Sequence, residues 1–347
     1  MRFASARFLA LAPLLAFAAL QADAAGPGEV NIYSYRQPYL IEPLLKEFTE
    51  ETGIKVNVIF AEKGLIERIE AEGRNSPADV LLTVDIGNLT QATAAGIAQP
   101  IRVDAIDAAI PEAYRAEDDQ WFGLTRRARV IYASKERVKQ DSITYEELAD
   151  PKWRGKICTR SGQHPYNVAL IASMIAHHGE AWTEDWLRGV KANLARKPAG
   201  DDRLQVKGVY AGECDIAIGN TYYMGVMLKN DKQPEQKQWA ESVNILFPNT
   251  GDRGTHVNVS GAVVAKHAPH KDNAVKLVAF LASDKGQQLY AEANNEYPVK
   301  EGVPWSPLVK SWGEYKPDPI SLDEIARLRK TASELVDKVE FDEGPSS

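Results

Sequence analysis

The sequence lacks the features by which many enzymes and nucleic-acid-binding proteins are identified. Its only two cysteines, Cys158 and Cys214, are too few for the usual thiolate site of structural zinc. A formal net charge of -7 provides no basic surface for nucleic acid or anionic lipid. No GxSxG, HExxH, P-loop or GxGxxG motif occurs. These absences favour a protein that binds a small or cationic ligand, and we expect no enzymatic activity.

Long apolar runs are also absent after the first 24 residues. A membrane-spanning helix needs about 20 consecutive apolar residues, and no later segment approaches that length. At the N-terminus, Arg2 and Arg7 precede an apolar run over 8–20, and small residues follow at 22–24. This order is typical of a secretory signal peptide. We therefore predict an exported chain that begins near Ala25 and does not itself span the membrane.

Export bears on the two cysteines, because an oxidising compartment favours disulfide formation. A bond between Cys158 and Cys214 would stabilise the fold by about 4 kcal/mol in the chain-entropy model. Two separate buried thiols are the alternative that the sequence leaves open.

Internal repeats and Pro/Gly/Ser-rich linkers are absent as well. Removal of 24 residues from 347 leaves 323, which is more than one hydrophobic core usually organises. Short apolar strands alternate with amphipathic helices, which predicts an α/β fold with largely parallel or mixed sheets. We predict two lobes joined by two hinge strands, WFGLTRRARVIY and GTHVNVSGAVV. The predicted divisions are a signal peptide (1–24), lobe 1 (25–126 and 251–303), lobe 2 (127–250) and a C-terminal helical segment (304–347).

Tyrosines follow three of the predicted strands. Tyr39 follows EVNIYSY, Tyr166 follows KICTRS, and Tyr222 with Tyr223 follows CDIAIGN. Because ligands bind beyond the carboxyl ends of parallel strands, we expect these four phenols at one edge. Adjacent side chains diverge in strands and helices, so the pair can face one point only in a turn or at a helix start. Ordinary packing is the alternative, since the chain contains 13 tyrosines.

A cluster of phenols suits a hard trivalent cation. A phenol has a pKa near 10, and a strong positive charge can remove its proton. Four phenolates around Fe(III) carry a net charge of -1, which one arginine of the TRRAR segment could neutralise: Arg126, Arg127 or Arg129. The alternative ligand is an organic cation such as a polyamine held in an aromatic box. That alternative needs acidic partners, of which the tyrosine loops contain few.

Several segments together resemble the periplasmic ferric-ion-binding proteins, which are the substrate-binding components of bacterial Fe(III) ABC importers. The segments are EVNIYSYR, NSPADVLLTVD, WFGLTRRARVIY, YEELADPKWRGK, NTYYMG and RGTHVNVSG. They cover nearly the whole mature chain, and NTYYMG is the most specific of them. The resemblance implies a type II-like two-lobed fold in the periplasm, closure over the metal, and an inner-membrane ABC permease as partner. We expect the chain to act as a monomer.

The resemblance also implies roles for individual residues. Tyr39, Tyr166, Tyr222 and Tyr223 match the metal ligands of the all-tyrosine branch, and Arg127 matches an arginine behind the metal or at a bound anion. Carbonate, another small anion or water would complete the coordination. Some relatives have a histidine just before the first tyrosine, whereas Gln37 and Pro38 precede it in this chain.

Four further polar residues are candidates for positions near the expected cleft. His164 precedes Tyr166 by two residues, and Glu62 is the one carboxylate considered for a ligand role in lobe 1. We expect Glu62 to be solvated or at a helix start, and we leave His164 out of the ligand set. Asp85 is predicted to cap a helix or to contact a ligand residue. His256 is predicted to be a hydrogen-bonded structural residue.

Overall fold

The computed structural model describes residues 28–345, which form nine strands and thirteen α-helices. The strands are β1 (Glu29–Ser34), β2 (Lys55–Phe60), β3 (Val80–Thr83), β4 (Phe122–Ser134), β5 (Ile157–Cys158), β6 (Ile216–Asn220), β7 (Val243–Leu246), β8 (Val257–Val264) and β9 (Tyr297–Pro298). The predicted signal peptide lies outside the described residues.

The helices alternate with these strands along most of the chain. They are α1 (Pro38–Thr52), α2 (Leu65–Glu72), α3 (Ile86–Ala94), α4 (Asp104–Asp107), α5 (Pro165–His178), α6 (Glu180–Asn193), α7 (Asp202–Tyr210), α8 (Tyr222–Leu228), α9 (Glu235–Glu241), α10 (Lys271–Ala282), α11 (Asp284–Asn294), α12 (Pro307–Lys310) and α13 (Leu322–Lys338). Within residues 28–345, no helix is both long and apolar enough to cross a membrane.

The strands pair in the order β2-β1-β3-β8-β4-β6-β5, and β7 and β9 pair with β4 beside this path. Strands β1, β2 and β3 run parallel, whereas β8 is antiparallel to β3 and to β4. Strand β5 is parallel to β6. The sheets are therefore mixed, and the predicted fold class, a two-lobed α/β protein, is confirmed.

Strand β4 belongs to both lobes. Its first part pairs with β8 as far as Ala128, opposite Val257, and its second part pairs with β6 from Arg129, opposite Asn220. We call the part containing β1, β2, β3 and β8 lobe 1, and the part containing β5, β6 and β7 lobe 2. The segment between β7 and β8 returns the chain to lobe 1. The numbered divisions given above stay predictions.

Local sequence accounts for the beginning and end of α1, which places Tyr39. Pro38 occupies the first turn, where its missing N–H costs no hydrogen bond. Gly53 ends the helix in a left-handed conformation, with φ of 71°, and its N–H donates to the Thr49 carbonyl. The apolar face of α1 packs against the core of lobe 1 through Ile41, Leu44, Leu45 and Phe48.

A disulfide joins Cys158 of β5 to Cys214, beyond the end of α7, so the predicted pairing is confirmed. The two Cα atoms are 5.9 Å apart, and the bond closes a loop with a sequence separation of 56. We expect the double replacement Cys158→Ala and Cys214→Ala to lower the free energy of unfolding by about 4 kcal/mol, because the unfolded chain regains the entropy of that loop. Urea denaturation of both proteins tests this, and an unchanged midpoint would contradict it.

Candidate functional site

Three of the four predicted ligand tyrosines lie together in lobe 2. Tyr222 and Tyr223 are the first two residues of α8, directly after β6, and their rings stack with centroids 4.3 Å apart. Tyr166 lies in the first turn of α5, and its Oη is 3.4 Å from that of Tyr222. We call these three residues the tyrosine cluster. The helix start satisfies the condition under which adjacent side chains can face one point.

Tyr39 lies apart from the tyrosine cluster in this structure. It occupies the first turn of α1 in lobe 1, and 63% of its surface is exposed. No hydrogen bond or ring contact among residues 28–345 joins it to the cluster. Tyr39 and Tyr223 both interact electrostatically with the guanidinium group of Arg203. Burial lowers the pKa of Arg203, and Asp201, Tyr223 and Tyr39 outweigh burial and raise it.

Arg127 lies directly against the tyrosine cluster. Its guanidinium carbon is 5.3 Å from the ring centroid of Tyr166, and its Nη1 donates to Ser260 Oγ at 2.8 Å. The side chain is 1% exposed, yet Nε and Nη2 have no hydrogen-bond partner in residues 28–345. Arg126 instead donates to Tyr114 Oη at 2.8 Å, because adjacent strand residues point to opposite faces. The buried, unpaired N–H groups of Arg127 are available to an anion.

A second arginine on the tyrosine cluster was not identified from the sequence. Arg160 lies 5.4 Å from the ring centroid of Tyr166, and Tyr223 is another of its electrostatic neighbours. Burial lowers the pKa of Arg160, and Asp202 with the tyrosines outweighs burial and raises it. The only local signal is its position after β5, in the loop that delivers Tyr166. Two guanidinium groups therefore contact one phenol ring.

Asp202 is the buried carboxylate that holds these groups in place. Its Oδ1 lies 3.2 Å from Arg160 Nη1, and its Oδ2 lies 2.8 Å from Arg129 Nη1. The same Oδ2 accepts the backbone N–H of Asn220, two residues before the tyrosine pair, at 2.7 Å. Asp202 is fully buried. It therefore fixes both an arginine beside the cluster and the backbone that leads into α8.

Replacing this carboxylate should destabilise the protein strongly. Asp202→Asn leaves Arg129 and Arg160 without their counter-charge, and loss of one partner from a buried ion pair costs about 3 to 5 kcal/mol. Asp231→Asn is the matched control, because Asp231 pairs with Lys237 at the surface and should matter little. Equal urea midpoints for the two variants would contradict the assigned role of Asp202.

The environment of Tyr222 and Tyr223 keeps these two phenols protonated in the absence of a metal. Burial raises the pKa of Tyr222 well above its usual value, and Tyr166 and Tyr223 raise it further. Burial also raises the pKa of Tyr223, with Asp202 and Tyr166 adding to the shift and Arg160 opposing it. A strong local positive charge is therefore needed to convert these phenols to phenolates.

A buried charged network lies behind Arg127. Arg36, after β1, donates to Ser260 and to Glu296, with Nη2 3.1 Å from Glu296 Oε1. Thr125 of β4 also donates to Glu296. Burial raises the pKa of Glu296, whereas Arg36 and Arg127 outweigh burial and lower it. The network joins residues separated by up to 260 positions, so local sequence patterns did not indicate it.

The two histidines considered from the sequence have structural positions. His164 caps α5, since its Nδ1 accepts the N–H of Tyr166 at 3.2 Å. Burial, Arg160, Arg129 and Arg329 lower the pKa of His164 to about 2, which keeps that nitrogen free to accept. The prediction that His256 is hydrogen-bonded through its side chain is wrong. The residue is 1% exposed, but neither ring nitrogen has a hydrogen-bond partner in the described chain. Burial and nearby arginines lower its pKa to about 3, so it is neutral.

The two carboxylates considered in lobe 1 lie where the sequence analysis places them. Glu62 is exposed between β2 and α2. Asp85 is 1% exposed and caps α3, because its Oδ1 accepts the N–H of Gly87 at 2.7 Å. Residues 28–345 contain no cluster of three or more His, Cys, Asp or Glu side chains that could hold a metal ion. The tyrosine cluster is thus the candidate oxygen-donor site of the described chain.

The sequence and the fold are similar to those of known iron-binding proteins. Residues 33–288 match the family described as bacterial extracellular solute-binding protein. Iron uptake protein A1 of Synechocystis is 46% identical over 312 residues, covering 89% of this chain and 86% of that protein.

Two solved structures extend this similarity to the fold. Ferric iron-binding protein A of Mannheimia haemolytica, in an open conformation, is 55% identical with a TM-score of 0.86, covering 91% of this chain and 99% of that one. The Trichodesmium protein solved with iron and citrate ligands is 44% identical with a TM-score of 0.86, covering 90% and 100%.

These relatives confirm the resemblance that NTYYMG and the other segments indicated. The assignment of four individual tyrosines as ligands is a separate matter and stays a prediction. The chain belongs to the family of bacterial extracellular solute-binding proteins, and its relatives include iron uptake and ferric-iron-binding proteins.

Proposed function

We propose that this protein captures Fe(III) in the periplasm through the phenolates of Tyr39, Tyr166, Tyr222 and Tyr223. The convergence of Tyr166, Tyr222 and Tyr223 is the observation that carries the proposal. Hard cations prefer oxygen ligands, and a tyrosine oxygen is a known ligand of iron. The ferric-iron-binding and iron uptake proteins among its relatives support the same ligand.

The arginines beside the tyrosine cluster determine the net charge of such a site. Four phenolates and Fe(III) carry a net charge of -1, whereas Arg127, Arg160 and Arg129 together with Asp202 carry +2. The resulting surplus of positive charge favours a small anion beside the metal. Nε and Nη2 of Arg127 are buried donors without partners in residues 28–345, so they suit carbonate or another oxyanion. Water is the alternative for the remaining coordination positions.

Lobe closure completes the proposed site. Tyr39 belongs to lobe 1 and the tyrosine cluster to lobe 2, and β4 connects the two lobes as a continuous strand. A hinge motion in β4 and in the segment before β8 would bring Tyr39 to the metal. The loaded monomer would then deliver iron to the permease of an ABC importer. We propose no catalytic function for the chain.

An organic cation such as a polyamine is not favoured as the ligand. An aromatic box for ammonium groups needs acidic partners that compensate the positive charge. The charged side chains on the ring of Tyr166 are instead the guanidinium groups of Arg127 and Arg160, which would repel an ammonium ion. The carboxylates beside these arginines, Asp202 and Glu296, are fully buried and already paired with arginines.

Metal analysis combined with a visible spectrum tests the proposed function. We expect the purified mature chain to take up one Fe(III) and to become red-orange, because phenolate-to-iron charge transfer absorbs visible light. Calorimetry of the iron-free protein should show binding of buffered Fe(III) and no binding of spermidine. A colourless protein that binds spermidine would overturn the proposal in favour of the organic cation.

A further inference from the structure

The C-terminal helix α13 lies against both lobes. It packs along α5 of lobe 2 and against α3 of lobe 1. Gln163, just before α5, donates to the Ser333 carbonyl at 2.9 Å and to Asp337 Oδ1 at 2.7 Å. The apolar face of α13 buries Leu322, Ile325, Ala332, Leu335 and Val336. The helix is thus fixed to lobe 2 beside the loop that delivers Tyr166, and it reaches lobe 1 at α3.

One side chain of α13 joins the two lobes. Nη1 of Arg329 lies 3.3 Å from Asp85 Oδ1 and 3.2 Å from the Pro165 carbonyl oxygen. Asp85 caps α3 in lobe 1, whereas Pro165 is the first residue of α5 in lobe 2. A single guanidinium nitrogen therefore connects the N-terminal ends of two helices, one from each lobe.

Gly87 provides the space for this arginine. A Cβ atom at Gly87 would lie 2.5 Å from Cζ and Nε of Arg329, closer than side chains tolerate. Gly87 is not among the residues with positive φ, so its backbone conformation does not require glycine. The first turn of α3 therefore carries a glycine where the Arg329 side chain passes over it.

The contact with Pro165 acts on the peptide unit that leads into Tyr166. Arg329 donates to the oxygen of this peptide unit, and the N–H of its other end donates to His164 Nδ1 at 3.2 Å. Both polar atoms of the unit are thus held by side chains. Tyr166 Oη in turn lies 3.4 Å from Tyr222 Oη, so a rotation of this peptide would displace the phenol.

We propose that Arg329 is a positioning residue for iron capture, which couples the contact between the lobes at Asp85 to the placement of Tyr166. This inference rests on the proposed function and deepens it. In this structure Arg329 holds both Asp85 and the Pro165 carbonyl while Tyr39 still lies apart from the tyrosine cluster, so the contact precedes the proposed closure. The ion pair with the buried Asp85 fixes the guanidinium, and the turn that carries Tyr166 is thereby held relative to lobe 1 before iron arrives.

Replacement of Arg329 by glutamine tests the coupling. We expect Arg329→Gln to bind one Fe(III) per chain but to release it roughly threefold to thirtyfold faster, the range for residues that modulate coupling between sites. Its charge-transfer band should shift, because Tyr166 is no longer held. Arg329→Lys should recover part of the dissociation rate through an ion pair with Asp85. Arg327→Gln is the matched control, since Arg327 on the same helix pairs with Glu324 and with no other acid in residues 28–345.

A double-variant comparison separates this role from a general loss of stability. Asp85→Asn should also speed iron release, and combining it with Arg329→Gln should add little further effect, because one contact is removed in both. Additive effects, or an Arg329→Gln variant with the dissociation rate and spectrum of the control, would overturn the proposal.

Small-angle scattering of the iron-free proteins tests the lobe contact without iron. Arg329→Gln should be more open than Arg327→Gln, and equal scattering curves would overturn the coupling. If the unmodified chain takes up no iron, the proposed function fails, but the scattering comparison still tests the contact between Arg329 and Asp85. The two failures are therefore distinguishable.

Discussion

Replacing Tyr222 and Tyr223 together by phenylalanine should abolish the red-orange colour of the iron-loaded protein and most of its iron affinity. The double variant removes two of the four proposed phenolates and leaves both rings in place. If each metal bond contributes at least as much as a charged hydrogen bond, about 2 kcal/mol, the dissociation constant should rise roughly a thousandfold or more. Competition with a coloured chelator, followed by visible spectroscopy, measures both effects.

Tyr210→Phe provides the matched control for this double variant. Tyr210 ends α7 in the same lobe and is 48% exposed, and within residues 28–345 its hydroxyl donates only to Gln238, at 3.3 Å. Its replacement should change neither colour nor affinity. Thermal unfolding of the iron-free proteins should confirm that all variants are folded. A double variant that keeps both colour and affinity would show that the ligands lie elsewhere.

The strands and helices around the site were predictable because their signals are local. Gly53 and Pro38 mark the ends of α1, and the alternation of apolar strands with amphipathic helices indicates the α/β class. The adjacency of Tyr222 and Tyr223 restricts them to a turn or a helix start, and the structure shows a helix start. Local sequence signals therefore indicated which residues begin α1 and α8.

The electrostatic surroundings of the phenols were not predictable in the same way. Asp202 holds Arg160 across 42 positions and Arg129 across 73, and Arg36 meets Glu296 across 260. Such pairs depend on how strands from distant parts of the chain are ordered, which residue spacing does not encode. The choice of Arg127 over Arg126 follows from strand alternation only once the face towards the tyrosines is known.

Tyr39 shows a further limit of the sequence. It follows a strand end just as Tyr166 does, so the pattern gives the two residues equal standing. The structure nevertheless leaves Tyr39 63% exposed, whereas Tyr222 is 8% exposed. The separation between lobes depends on the hinge and on the ligand, and no local pattern specifies it. The role of Tyr39 therefore requires an experiment that counts ligands.

Iron binding should release one proton for each phenol that becomes a ligand, so four protons are expected per iron. Burial raises the pKa of Tyr222 and of Tyr223, and these phenols are protonated at neutral pH before the metal binds. The affinity for the free ion should therefore fall as the pH falls. With four protons displaced, the decrease is about ten-thousandfold per pH unit, or tenfold for each proton.

The proton count also decides whether Tyr39 is a ligand. In weakly buffered solution, a pH-stat titration with a chelated iron salt of known proton balance should give four protons for the unmodified chain. Tyr39→Phe should give three and a less steep pH dependence, whereas Tyr210→Phe should still give four. If Tyr39→Phe also gives four, Tyr39 does not bind iron through its phenolate. Release of no protons by the unmodified chain would exclude phenolate ligation altogether, because neutral phenols cannot become phenolates without losing a proton.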